Sequence, residues 1–343
     1  MELNLTDWQL LLVKVGVILA VVPALTLVAG YAEHKVMAHL QHRLGPMYPG
    51  GFHGWAILLA DGLKFIYKED IIPTAADKRV FKLAPLAIFV PAVMVYLVIP
   101  VDRSLIVEDL DVGIFYLLAI SSVSTIGVLM AGWSSANKYA LIGALRAGAQ
   151  LIAYELPIVL SAAVVVMLAG TMSLVGIVDA QTWPFILWPP GIGLIAFFVF
   201  MGASIAELTR PPFDMPVAES EIITGAFTEY SGMRFIFGFF FAEVANMIAF
   251  AAIGATLFLG GFNPIVPWSP LDAIPGVVWF VGKTSFMLFL FLWVRPTFPR
   301  LREDQLQKFA WKYLIPVSLA LILAAGAWVL YAPDALQPET LRP

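Results

Sequence analysis

Apolar residues gather along this chain into long blocks separated by polar breaks, and the blocks recur from one end to the other. Each is long enough to cross ~30 Å of hydrocarbon, which takes roughly 20 helical residues. The pattern predicts spans at 9–30, 83–101, 112–132, 149–170, 185–207, 235–260, 275–295 and 313–331, hence an all-α polytopic membrane protein of about eight transmembrane helices. With no internal repeat and no low-complexity linker, residues 1–343 are expected to form a single integral membrane domain. An even number of crossings puts both ends of the chain on one side. The breaks at 31–82, 133–148, 208–234 and 296–312 are long or charged and share the other side, whereas the alternate breaks are short.

In the first of these breaks, Gly54 to Lys68 carries Asp61, Lys64 and Lys68 at i, i+3 and i+7, on one helical face, with Trp55, Leu58, Leu59, Leu63 and Ile66 on the rest. This predicts an amphipathic helix lying in the interface plane or packed on neighbouring spans at that depth. Pro23, Pro85, Pro91 and Pro157 fall within or near spans. In membrane helices proline more often kinks than terminates.

Composition agrees with the pattern: 60% of residues are hydrophobic and 13% charged, against roughly 45–50% and 25% in a soluble domain. Apolar blocks along the whole chain exclude a signal peptide leading a soluble domain. Without cysteine the chain offers no disulfide and no thiolate-ligated zinc or iron–sulfur centre, so a redox cofactor has to belong to another subunit. The charged breaks hold seven, two, two and, with Arg295 at the edge of the last, five Lys or Arg, which is 16 of the 20 in the chain. The positive-inside rule then makes these loops cytoplasmic and both termini external.

An ionisable side chain at mid-bilayer costs roughly 2.5–3.5 kcal/mol on insertion scales. Those present are Lys14, Glu155, Glu243 and Lys283, with Glu207 near a span end. Snorkelling to the interface or a helix-bridging pair accounts for such a residue without any chemistry, and suits Lys14. A glutamate reaches less far, and Glu155 and Glu243 lie several residues inside apolar sequence. Acids so placed are suited to taking up and releasing protons near neutral pH.

Two loops stand out. From Glu207 to Arg234 the carboxylates of Glu207, Asp214, Glu219, Glu221 and Glu229 stand against Arg210 and Arg234, on the face that elsewhere favours positive charge. Pro211, Pro212 and Pro216, with Phe213, Met215, Phe227 and Tyr230, mark an ordered, partly buried segment rather than a solvated loop. Clustered carboxylates in such a segment can act as a proton or cation relay. The last loop is basic, with Arg295, Arg300, Arg302, Lys308 and Lys312 around Asp304. It suits membrane-surface charge or a docking surface for an acidic partner equally well.

The strings EHKVMAHLQHRLGP, LADGLKFIYKED, GWSSANKYALIGALRAGAQLIAYE, RPPFDMPVAESEIITGAFTEYSGM and PRLREDQLQKFAWK resemble, in order and over essentially the whole chain, the H subunit of respiratory complex I, the proton-pumping NADH:quinone oxidoreductase. The resemblance implies a multi-pass subunit of the bacterial cell membrane that joins the membrane arm to the hydrophilic arm. It would form much of the chamber for its substrate, quinone, and hold no cofactor of its own. NADH, FMN and iron–sulfur clusters would belong to partner subunits: cluster-bearing peripheral-arm subunits, with small membrane subunits alongside. By matching position, Arg43, Asp61, Glu219, Glu221 and Glu229 would lie around the chamber and its funnel, and Glu155, Glu207 and Glu243 would continue the proton path into the membrane. Arg300, Arg302 and Asp304 would serve docking.

Two departures bear on the quinone and the electron donor rather than on the fold. Glu33-His34-Lys35 and Met47-Tyr48 stand where the family usually has Glu-Arg-Lys and Asn-Arg, and Glu303 stands in place of a tyrosine. Related subunits serve membrane-bound hydrogenases and cofactor-F420 dehydrogenases, which are the nearest alternatives. A proton- or cation-coupled secondary transporter also needs mid-membrane acids, but duplicated halves with matching broken spans are missing. A purely structural anchor would leave the buried acids without a purpose.

Overall fold

A computed structural model describes residues 7–217, 219–266 and 271–331. Among the described residues the regular structure is all helical, without strands. In order they form α1 (Asp7–Leu40), α2 (Ile57–Tyr67), α3 (Lys78–Met94), α4 (Gly113–Ser134), α5 (Lys138–Ala169), α6 (Leu174–Ala180), α7 (Ile192–Glu207), α8 (Glu219–Ile222), α9 (Gly232–Phe235), α10 (Ala242–Phe258), α11 (Gly276–Thr297), α12 (Glu303–Phe309) and α13 (Ile315–Tyr331). Among the described residues seven stretches are long and apolar enough to cross a membrane, two of them α9 with α10 and α12 with α13, each pair joined through a π-turn.

The expected fifth span, 185–207, is the shortest. Its helix starts only at Ile192, after Pro189, Pro190 and a Gly191 at φ +86°. Sixteen residues rise about 24 Å, less than the ~30 Å of a bilayer core, and the residues before it fold back against its first turn, where Phe185 O would lie 1.6 Å from a Cβ on Gly193. Conversely, α1 and α5 run well beyond the apolar blocks, α1 on to Leu40 and α5 from as early as Lys138. The chain stays helical through Pro23, Pro85, Pro91 and Pro157, as expected for membrane helices.

Caps come from the polar residues beside the apolar blocks. The Asp77 carboxylate accepts from the backbone of Arg79 and Val80 to start α3, and Asn137 accepts from Tyr139 N to start α5. Helices approach closely where side chains are small. A Cβ on Gly132 of α4 would sit 2.2 Å from the Ala144 Cβ of α5. The buried core centres on α5, α7 and α10, with Tyr154, Phe200, Met247 and Phe258 almost fully enclosed. Outward faces such as Leu12, Phe115 and Leu323 are left to lipid.

Candidate functional site

The four charged breaks meet on one face. Asp77 N donates to Ser134 O, and Asn137 Nδ2 donates to Glu229 at 2.6 Å. Tyr230 Oη donates to Phe81 O while its ring stacks on Phe81 at 4.0 Å. Burial pushes the Tyr230 phenol up to about 12, so it stays a neutral donor. Arg234 pairs with Asp70 at 3.1 Å. The last loop is strapped to the acidic one by Leu301 N on Pro212 O and Arg300 on Asp214 O. Tyr154 Oη, from inside α5, donates to Leu306 O and fixes α12 above it.

Between these loops lies an open pocket of about 570 Å³ lined by Arg146, Met215, Glu221, Arg302, Glu303, Asp304 and Gln307. Arg146, near the start of α5, holds two carboxylates, Glu221 at 2.7 Å and Glu303 at 3.3 Å. The hydrogen bond from Arg146 holds the Glu221 carboxyl below the ordinary carboxylate range, with Arg300 and Arg302 adding to it. Glu303, where the resembled family has tyrosine, thus supplies a second acid to the same guanidinium.

A second cluster is built around the buried Arg210 and Glu33, with Glu243 and Arg295 more open at its edge. Arg210, just past the end of α7, pairs with Glu33 of α1 and Glu243 of α10, each at 2.9 Å. Arg295, in the last turn of α11, also pairs with Glu33. The Arg210 side chain is only 7% exposed, and a buried guanidinium persists only with such partners. One cluster therefore ties α1, α10, α11 and the start of the acidic loop together.

Deeper still, Glu207 ends α7 with Oε2 enclosed and without a hydrogen-bond partner. Glu155 of α5 is close enough for the two carboxyls to interact electrostatically. Glu207 also borders a cavity of about 20 Å³ shared with Pro91, Ala92, Ser121, Ser124, Asn246 and Phe250. The lysines differ: Lys14 reaches Val107 O and Glu108 in the loop before α4, and Lys283 donates to Gly261 O and Asn263 O. Both serve as backbone ties at the far side.

The candidate residues therefore divide into groups. Glu221 lies in the open pocket with Arg302 and Asp304, which pair with each other at 3.5 Å; Glu229 sits beside Asn137; Glu243 belongs to the Arg210 cluster, where its side chain is 43% exposed rather than enclosed, and Glu207 with Glu155 lies further in. Arg43 donates to Gln41, and Asp61 pairs with Lys64 on α2, so each engages its own neighbour in sequence rather than an acid of the loop. Glu219 begins α8, but its side chain lies outside the described residues. Sequence reasoning missed Arg146, Arg210 and Glu33 as organisers. Arg210 opens the proline-rich segment of the acidic loop, where an isolated cation among acids was the available signal.

A bundle of membrane-crossing helices that carries buried acids beneath one charged loop face is the architecture of an energy-converting membrane subunit rather than of a soluble enzyme. The NADH dehydrogenase family matches residues 13–326, and the chain belongs to that family. It is 48% identical over 318 residues to the H subunit of the NADH-quinone oxidoreductase of Geobacillus kaustophilus, covering 91% of this chain and 93% of that one. The protein of the same name from Bacillus cytotoxicus is 48% identical over 289 residues, 84% of this chain and 85% of the other. That of Dehalococcoides mccartyi strain CBDB1 is 46% identical over 327 residues, 95% and 89% of the two.

Proposed function

We propose that this chain, as one integral membrane unit, walls the quinone chamber of a proton-pumping NADH:quinone oxidoreductase and carries the first part of its proton path. The observation that carries the reading is the track of charge from the loop face inward: Arg146 with Glu221 and Glu303, then Arg210 between Glu33 and Glu243, then Glu207 with Glu155. Quinone takes up two electrons from a cluster in a peripheral-arm subunit and two protons from its surroundings. Removing protons from a water-poor chamber changes the charge on neighbouring carboxylates, and acids close together cannot all ionise cheaply. Glu219, Glu221 and Glu229 respond first in this scheme, with Arg43 and Asp61 at the mouth of the funnel. The guanidinium pairs hand the change to α7 and α10. In the same scheme the exposed Arg302 and Asp304 dock the peripheral arm, and the loop face lies in the cytoplasm of a bacterial cell.

The test is substitution of the interior acids. Glu155→Gln and Glu243→Gln keep volume and hydrogen bonding but lose the titratable proton. The complexes are expected to assemble with impaired proton translocation. Normal pumping per electron by a smaller amount of assembled complex would show that these acids serve stability alone.

A further inference from the structure

We infer that Gln150 is a positioning residue: its amide pins both ends of the turn that carries Glu207 and Arg210, and so sets where those two groups stand. The inference rests on the proton-path reading above and adds to it a residue that bears no proton itself. Gln150 lies in α5 and is 1% exposed. Its Nε2 donates to Ala206 O and to Phe213 O, each at 2.7 Å. Ala206 immediately precedes Glu207, and Phe213 follows Arg210 by three positions, so the two bonds bracket both groups.

Two carbonyl oxygens face one end of the amide, which fixes that end as the donor; turned over, it would set oxygen against oxygen. The other end, Oε1, is enclosed and has no hydrogen-bond partner among the described residues. An idle buried acceptor is unfavourable, and a position that served packing alone would hold an apolar side chain. The turn needs the two donors. Thr209, between Glu207 and Arg210, has φ +52°, a left-handed conformation that a β-branched residue keeps only where its surroundings impose it. Thr209 N donates to Ala206 O at 3.1 Å and Phe213 N to Arg210 O at 2.8 Å. Each half of the turn is thus closed locally, and Gln150 joins the halves.

The same helix carries Glu155, which interacts electrostatically with Glu207. Pinning the turn to α5 fixes the separation of these two acids, while Arg210 at the other end of the turn meets Glu33 of α1 and Glu243 of α10. Arg146, Gln150 and Tyr154 follow one another at one-turn spacing on one face of α5. Each ties down a different segment: Arg146 the acids of the open pocket, Gln150 the turn, and Tyr154 the backbone of α12. Without Gln150 two buried carbonyls lose a donor, and Glu207 and Arg210 shift away from the groups they face.

The test uses the assembled complex in proteoliposomes. Gln150→Met keeps the length of the side chain and removes both donors, whereas Gln150→Glu keeps its shape and supplies one donor, only while the carboxyl is protonated. A misplacement of about 1 Å can cost on the order of 10²-fold in rate. Proton pumping per assembled Gln150→Met complex is therefore expected to fall by at least roughly tenfold, with electron transfer to an artificial acceptor that bypasses quinone unchanged. Gln150→Glu is expected to recover part of that loss, most at low pH, its deficit against the parental complex growing as pH rises and the carboxyl ionises. A packing role would lower only the amount of complex and its resistance to heat. Parental pumping per Gln150→Met complex, or a Gln150→Glu complex that recovers nothing at any pH, would overturn the positioning role. Where Gln150→Met fails to assemble, a Gln150→Glu deficit that does not shrink as pH falls would overturn it. With pumping abolished in Glu207→Gln, any of these results leaves the proton-path reading standing; parental pumping in Glu207→Gln would overturn both.

Discussion

Arg210 should be most sensitive to losing both of its carboxylates at once. Each pair spans 2.9 Å, which at an effective dielectric constant near 20 is about 6 kcal/mol of attraction before desolvation is subtracted. Desolvation offsets most of that, because the Arg210 side chain is 7% exposed. Glu33→Gln leaves the guanidinium on Glu243, and Glu243→Gln leaves it on Glu33; each single loss is expected to cost about 1.5–3 kcal/mol, the worth of a hydrogen bond to a charged group. Losing both strands a buried cation, so the double variant should cost more than the sum, with a coupling of about 2 kcal/mol. Membrane complexes unfold irreversibly, so the assay is the rate of heat inactivation at one temperature. Two kcal/mol is about a 30-fold excess in that rate over the product of the single effects. A double variant that inactivates at the product of the two single rates would refute the reasoning.

Arg146→Leu should remove the support that Arg146 gives the acidic loop. Glu221 lies below the ordinary carboxylate range in the folded chain, so its contribution is present above its unfolded value near ~4.3 and fades as pH falls through the lower folded value. Parental and Arg146→Leu complexes should therefore differ in inactivation rate at neutral pH and converge at low pH; a constant gap would argue against the pair. Leu63→Trp, on the exposed face of α2, is expected to raise KM for long-tailed quinones more than for short ones, and an equal rise would exclude this route for the tail. Leu58→Trp should impair assembly instead, because Leu58 packs on α1 so tightly that a Cβ on Gly30 would sit 2.7 Å away. Single cysteines at Asp77, Lys138, Asp214 and Arg302, in a chain without native cysteine, should be labelled by an impermeant thiol reagent only from the cytoplasmic side; labelling in intact cells would invert the topology.

Helix positions were legible because hydrocarbon thickness dictates block length, and the mid-membrane acids because desolvation makes them costly. Glu155 and Glu243 stood out on that ground alone. Partners were not legible, since they depend on helices far apart in sequence. Glu33 meets Arg210 and Arg295 across 177 and 262 positions, and no local pattern links them. Leu58 illustrates the same limit, because periodicity placed it on an apolar face without showing that α1 covers it. Glu303 departs from the resembled pattern, and only its contact with Arg146 shows what the extra acid does.

The central claim is that the charge change set off by proton uptake at the quinone is passed to the interior acids of this chain, which carry translocated protons. Its most direct test is the ratio of protons translocated to NADH oxidised, measured in proteoliposomes holding equal amounts of assembled parental and Glu207→Gln complex. A ratio or turnover that collapses in the Glu207→Gln complex is the predicted result, with electron transfer to an artificial acceptor that bypasses quinone unchanged. An unchanged ratio at parental turnover would contradict the account.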